Sequence, residues 1–362
     1  MVQQSRYDSV FNDCRTIPRR DMLGSLAALS IAGAFAPLAT ADAEEVTDTA
    51  AARRIDVHHH FFPPAWLQHA EQQKPGPSPI MREWSTGLVL EHMDKTGVAT
   101  AIASLSPWGV TFADSAQLPR LARACNDYAA QMMHDHVGRF GLFAAMPLPD
   151  VDASLKEIAY ALDDLKADGI GLMTSYGDKW PGDPLFRPVF EELDRRKAVA
   201  YFHPATPNCC GNLIPGAPAG PATIEWPVDT ARAILSLLTS GSLIRYPNIR
   251  FIFSHAGGAL PALSGRIANF VERTKKAADY APNGALAEFN KLYYDTANAT
   301  AAPSMAALMA MAPVSQIVFG SDYPYFTLEE NVQGLSKIKL TAAERQAISR
   351  GNVARILPKY AA

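Results

Sequence analysis

Cysteine is scarce in this chain: four among 362 residues, at positions 14, 125, 209 and 210. That is too few and too unevenly spaced for a disulfide framework, and the Cys209-Cys210 pair lacks the second pair a zinc knuckle needs. They read as plain thiols, the vicinal two in a loop. Charge of one sign is also missing. Lys and Arg number 33 against 36 Asp and Glu, for a net charge of -3, so no basic stripe marks a nucleic-acid partner and a small molecule is expected instead. Long apolar runs are absent apart from residues 23–38, which fall short of the about 20 needed to span a bilayer and are interrupted by Gly24, Gly33 and Pro37. The mature protein should therefore carry no membrane anchor. No Gly-rich dinucleotide fingerprint follows the first strand, and Gly257-Gly258 is too short to be one, so no organic cofactor is implied.

What is present begins with an export pattern. Arg19-Arg20 precedes the apolar run, which ends in the small residues around Ala41 and Ala43. This reads as a twin-arginine signal peptide over residues 1–43, cleaved after Ala43, with 44–362 as a single periplasmic domain. At 48% hydrophobic residues the remainder can bury a full core.

Short β-rich runs then alternate with amphipathic helical stretches to the end of the chain. Strands are predicted at 55–58, 100–105, 140–145, 169–174, 199–203, 249–255, 292–295 and 316–320. Helices are predicted at 88–96, 118–137, 153–167, 184–196, 229–245, 260–279, 304–311, 328–336 and 342–349. Eight strands separated by helices predict an α/β fold, a (β/α)8 TIM barrel. The Pro- and Gly-rich stretches 62–87 and 205–227 each follow a strand and should overhang the C-terminal face, where barrel enzymes place their sites.

The ligating residues gather at strand ends. His58-His59-His60 closes the first strand, His203 the fifth, His255 the sixth and Asp322 follows the eighth. Alternation turns His58 and His60 to one face and His59 to the other, so the outer two can chelate one ion while His59 packs or supports. Three imidazoles and a carboxylate suit Zn2+, Mn2+ or Fe2+ with a coordination position left open. His69, His92, His134 and His136 lie in helices or loops and are expected to be non-catalytic.

Four motifs carry a family resemblance: Ile55-Asp-Val-His-His-His60, Phe202-His-Pro204, Ser254-His-Ala-Gly-Gly258 and Phe319-Gly-Ser-Asp-Tyr-Pro324. In that order they resemble the amidohydrolase superfamily, in the branch of 2-amino-3-carboxymuconate-6-semialdehyde decarboxylase and the hydroxybenzoate-type decarboxylases. The resemblance implies that His58, His60, His203 and Asp322 bind one divalent ion, Zn2+ first and Mn2+ second, with His255 as a base acting on water the ion polarises. Strand four, Gly169-Ile-Gly-Leu-Met-Thr-Ser-Tyr, ends without the lysine that bridges two ions in binuclear members, and Lys179 lies beyond it. It further implies a homodimer in which Arg266 reaches the neighbouring subunit's site to bind the substrate carboxylate, with Arg82 as a second carboxylate-binding arginine. Ala205 stands where the semialdehyde decarboxylase has tryptophan, which separates this chain from that substrate. The implied reaction is non-oxidative decarboxylation of an aromatic or unsaturated carboxylic acid. In one version the ion activates water to add to the conjugated system. In the other the ion binds the carboxylate and a neighbouring hydroxyl, and Asp322 protonates the ring carbon. Two alternatives stay open: hydrolysis of a lactone, amide or similar bond by the same activated water, and a non-catalytic binding barrel.

Overall fold

In the computed structural model, residues 53–73, 76–105, 109–210, 214, 216–217 and 219–361 are described. The expected signal peptide and its boundary after residue 43 lie outside them. Eight parallel strands follow one another in chain order: β1 Arg54–Phe61, β2 Val98–Leu105, β3 Phe140–Ala145, β4 Gly169–Met173, β5 Val199–His203, β6 Arg250–Phe253, β7 Tyr293–Asp295 and β8 Ile317–Val318. The ring is joined between its first and last members by backbone bonds just beyond β8. Val57 N donates to Phe319 O at 3.0 Å, Asp322 N to His58 O at 2.8 Å and His60 N to Tyr323 O at 2.8 Å. With helices between successive strands, this is the expected TIM barrel.

Inward-facing side chains fill the barrel floor. Ile55, Val57, Ile102, Phe143, Val199, Tyr201, Ile252, Tyr293 and Val318 form one buried cluster, while the other faces of the strands pack against the helices in a second, larger core. The period of two then decides what stands above that floor: on β5, Val199 and Tyr201 are followed by His203. β1 departs from the rule. Asp56 pairs with Ala101 but His59 with Ala103, three residues opposite two, so the strand carries a bulge. A bulge re-aims side chains, and here it lets Ile55 and Val57 fill the floor while His58 and His60 also turn inward.

Several predicted boundaries move. The sixth strand stops at Phe253, and His255 lies in the tight turn His255–Gly257, with φ of 53° at His255 and 58° at Ala256. The helix predicted at 229–245 begins earlier, at Glu225–Thr239, and breaks at Gly241, whose φ of 73° leaves a separate turn Ser242–Arg245. The helix predicted to 279 ends at Glu272. Cys125 is buried in the helix Leu118–Asp135. No described helix is long and apolar enough to cross a membrane.

Candidate metal centre

The strand ends bring His58, His60, His203, His255 and Asp322 to one spot at the C-terminal mouth. One donor atom from each of His58, His203, His255 and Asp322 lies within 4.8 Å of the others. His60 belongs to the same cluster: its Nε2 is 3.3 Å from His58 Nε2 and 3.0 Å from Asp322 Oδ1. His58 and His60 are fully buried and His203 is 2% exposed.

What holds each ring decides what it can do. His58 Nδ1 faces Asp295 Oδ2 at 2.9 Å, His60 Nδ1 faces the Ser104 carbonyl at 3.3 Å, and His203 Nδ1 faces the Pro204 carbonyl at 2.9 Å. All three partners only accept, so each Nδ1 carries a proton and Nε2 is the atom left to face an ion. His58 and His60 bring their Nε2 atoms together beside the Asp322 carboxylate, an arrangement that calls for positive charge at its centre. The titration tendencies agree. Burial opposes a charged His58, but Asp295 and Asp322 outweigh it and push its pKa up to about 10. Burial, reinforced by the neighbouring imidazoles, holds His203 well below the usual histidine range, and burial likewise lowers His60. Burial would raise Asp322, yet His58 and the surrounding imidazoles keep it well below the usual carboxylate range. With the His58 proton displaced, three imidazole nitrogens and an ionised carboxylate form a donor set that fits a divalent cation.

His255 is held differently. Its Nδ1 meets the Ser254 hydroxyl at 3.1 Å, a group able to donate or accept, and its Nε2 lies 3.2 Å from Asp322 Oδ2. The carboxylate only accepts, so Nε2 holds a proton toward Asp322, whereas the hydroxyl leaves Nδ1 able to donate or accept. Its side chain is 18% exposed and that of Asp322 10%, which turns both toward the mouth.

Asp295 was not singled out in the sequence, although it is the hub beneath the site. Fully buried at the end of β7, it accepts from His58 Nδ1, from the His255 backbone at 2.9 Å, from Ala297 N at 3.0 Å and from Tyr201 Oη at 3.3 Å. Its only sequence signal was a carboxylate on the last residue of a predicted strand. Asp56 is a second such support. It accepts from Ser321 N, from the Ser321 hydroxyl and from His59 Nδ1, so His59 stacks on Tyr323 behind the site as its opposite facing predicted.

The two arginines stand apart. Arg82 lies on the surface in a paired-nitrogen ion pair with Glu71, at 2.8 and 3.0 Å; with its guanidinium so engaged, it is not placed at the metal cluster. Arg266 is exposed on the helix Leu260–Glu272, its guanidinium 5.1 Å from the Phe270 ring. His69, His134 and His136 lie outside the cluster, and His92 packs near Tyr323 and Glu329.

Comparison with known proteins gives the same family. Residues 55–359 match the amidohydrolase family Amidohydro_2, and the chain belongs to it. Among its relatives, the 6-methylsalicylic acid decarboxylase acuB of Aspergillus aculeatus is 37% identical, across 75% of this chain and 84% of that protein. The decarboxylase yanB of Aspergillus niger is 34% identical, across 85% and 88%. The 2-amino-3-carboxymuconate-6-semialdehyde decarboxylase of Dictyostelium discoideum is 24% identical, across 78% and 84%. A solved dihydroxybenzoic acid decarboxylase from Polaromonas, with bound manganese and the inhibitor 2-nitroresorcinol, shares the fold with a TM-score of 0.74 at 22% identity, covering 84% of this chain and 96% of that one.

Proposed function

We propose that this protein is a metal-dependent, non-oxidative decarboxylase of an aromatic carboxylic acid. The observation that carries the reading is the convergence of imidazole Nε2 atoms with Asp322 in a member of a family whose relatives at 34–37% identity are decarboxylases. His58, His60, His203 and Asp322 would hold a divalent cation, which when bound would supply positive charge for an anionic substrate. Zinc and manganese both suit this donor set, and the manganese of the Polaromonas enzyme makes that ion the first to load.

The chain's own groups then manage the proton. Breaking the C–C bond leaves an electron pair on the ring carbon, which is relieved if that carbon is protonated. His255, 3.2 Å from Asp322 Oδ2, first passes a proton from the mouth to that carboxylate, and Asp322 delivers it to the ring carbon. The balance is one arenecarboxylate plus one proton giving the arene and CO2. His58, His60 and His203, sealed from solvent, keep competing water from the buried side.

Arg266 has a use in this reaction only if a second subunit supplies it. The exposed Leu263, Arg266 and Phe270 on one helix support a homodimer in which Arg266 of the partner subunit binds the substrate carboxylate. The Arg19-Arg20 pattern supports export by the twin-arginine route, with 44–362 as the mature enzyme.

Manganese-loaded protein incubated with a panel of 2-hydroxybenzoates in D2O should release CO2 and leave deuterium on the vacated ring carbon. Hydrolysis of lactones or amides with no CO2 from any acid would overturn the reading.

A further inference from the structure

One hydroxyl at the mouth has no task in the chemistry above. Ser104 is 3% exposed near the end of β2, and its Oγ has no hydrogen-bond partner among the described residues, although its carbonyl holds His60 Nδ1. Alternation sets it on the inward face, two residues above Ile102 of the barrel floor. With Phe143, Met146, Met173, Tyr201 and His203 it lines a narrow cavity inside the barrel mouth.

The other polar groups there are engaged. Tyr201 Oη donates to Asp295, Tyr176 Oη accepts from Met173 N at 2.9 Å, and His203 Nδ1 is bound to Pro204. Apart from the engaged Thr111 the remaining walls are apolar, and the cavity, about 20 Å³, has room for one water-sized substituent beside one unmet hydrogen bond. A buried hydroxyl without a partner is costly, and a ligand group that satisfies it is favoured over one that cannot. His203 belongs both to the donor set and to the cavity wall, so a ring held at the metal centre would border the cavity that Ser104 lines.

We propose that Ser104 is a specificity-determining residue whose hydroxyl binds a polar substituent on the substrate ring, making hydroxyl-bearing 2-hydroxybenzoates the substrate class over their methyl counterparts. This rests on the decarboxylase reading and sharpens it. The test compares manganese-loaded wild type and Ser104→Ala on 2,6-dihydroxybenzoate and 6-methylsalicylate, which differ by one hydroxyl against one methyl. The substitution should lower kcat/KM for the dihydroxy acid by about 10–100-fold and leave the methyl acid within about twofold. Equal loss on both acids would assign Ser104 a structural part, such as holding a buried water, and overturn the proposal, as would no change on either. If wild type releases CO2 from neither acid, the decarboxylase reading fails by itself. Ser104 is then judged by calorimetric titration with 2-nitroresorcinol and 3-methyl-2-nitrophenol, whose nitro group imitates a carboxylate. A wild-type preference for the resorcinol of about tenfold or more, erased in Ser104→Ala, sustains the assignment; equal affinities in wild type refute it.

Discussion

The difference between His255 and its neighbours lies in a single contact. His58, His60 and His203 each spend Nδ1 on an oxygen that only accepts, whereas His255 meets a hydroxyl that works either way. The two kinds of residue should fail differently. His255→Asn should keep its metal, measured by elemental analysis, and lose about 10²–10⁴-fold in kcat; loss of the metal together with activity would make His255 a ligand. Asp295→Asn removes the charge that fixes the His58 ring and should weaken metal binding by about 10–100-fold in a chelator competition. Unchanged affinity would show that the ring is held by packing alone. The candidate ligands were legible in the sequence because each stands at or just beyond a strand end in a family motif. Asp295 was not, since its partners His58, Tyr201 and His255 are brought to it from strands far away in the chain.

At the scale of elements, the pattern of short β-rich runs located every strand, because each must bury one face on the barrel floor and the other under helices. It could not locate the bulge of β1. Counting by twos from Ile55 and Val57 turns His59 inward; only the extra residue opposite β2 turns His58 and His60 there instead. Nor could it place His255, because a turn with two successive residues at positive φ has no hydrophobic period. Helix ends moved for a related reason: Gly241 and the chain after Glu272 break helices whose composition would allow them to continue. Gly320, just past β8, shows how tightly these elements meet. A Cβ there would lie 2.9 Å from Asp295 Cβ, Asp295 Cγ and His58 Cβ, so the bonded pair beneath the site would have to move. Gly320→Ala should therefore lower metal affinity by about tenfold or more while its far-ultraviolet circular dichroism stays that of wild type. Wild-type affinity would mean that the barrel absorbs a methyl at this seam.

For the molecule as a whole, the metal centre couples to stability through a proton. In the metal-free protein His58 is raised from 6.5 to about 10, so the folded chain keeps a proton that the unfolded chain releases. The stability this proton provides is complete below pH 6.5 and is lost as pH rises toward 10. A bound cation displaces the proton and is free of that loss. The gap in Tm between manganese-saturated and metal-free protein should thus widen between pH 6.5 and about 10; a constant gap would remove His58 from the linkage. The seam between β1 and the chain after β8 has another consequence. His58 and Asp322, adjacent in space, are separated by nearly the full length of the domain and joined through Asp322 N to the His58 carbonyl. During synthesis, a chain halted anywhere before residue 322 has neither a closed ring nor its only carboxylate ligand. A complete candidate site thereby requires that synthesis has passed residue 322.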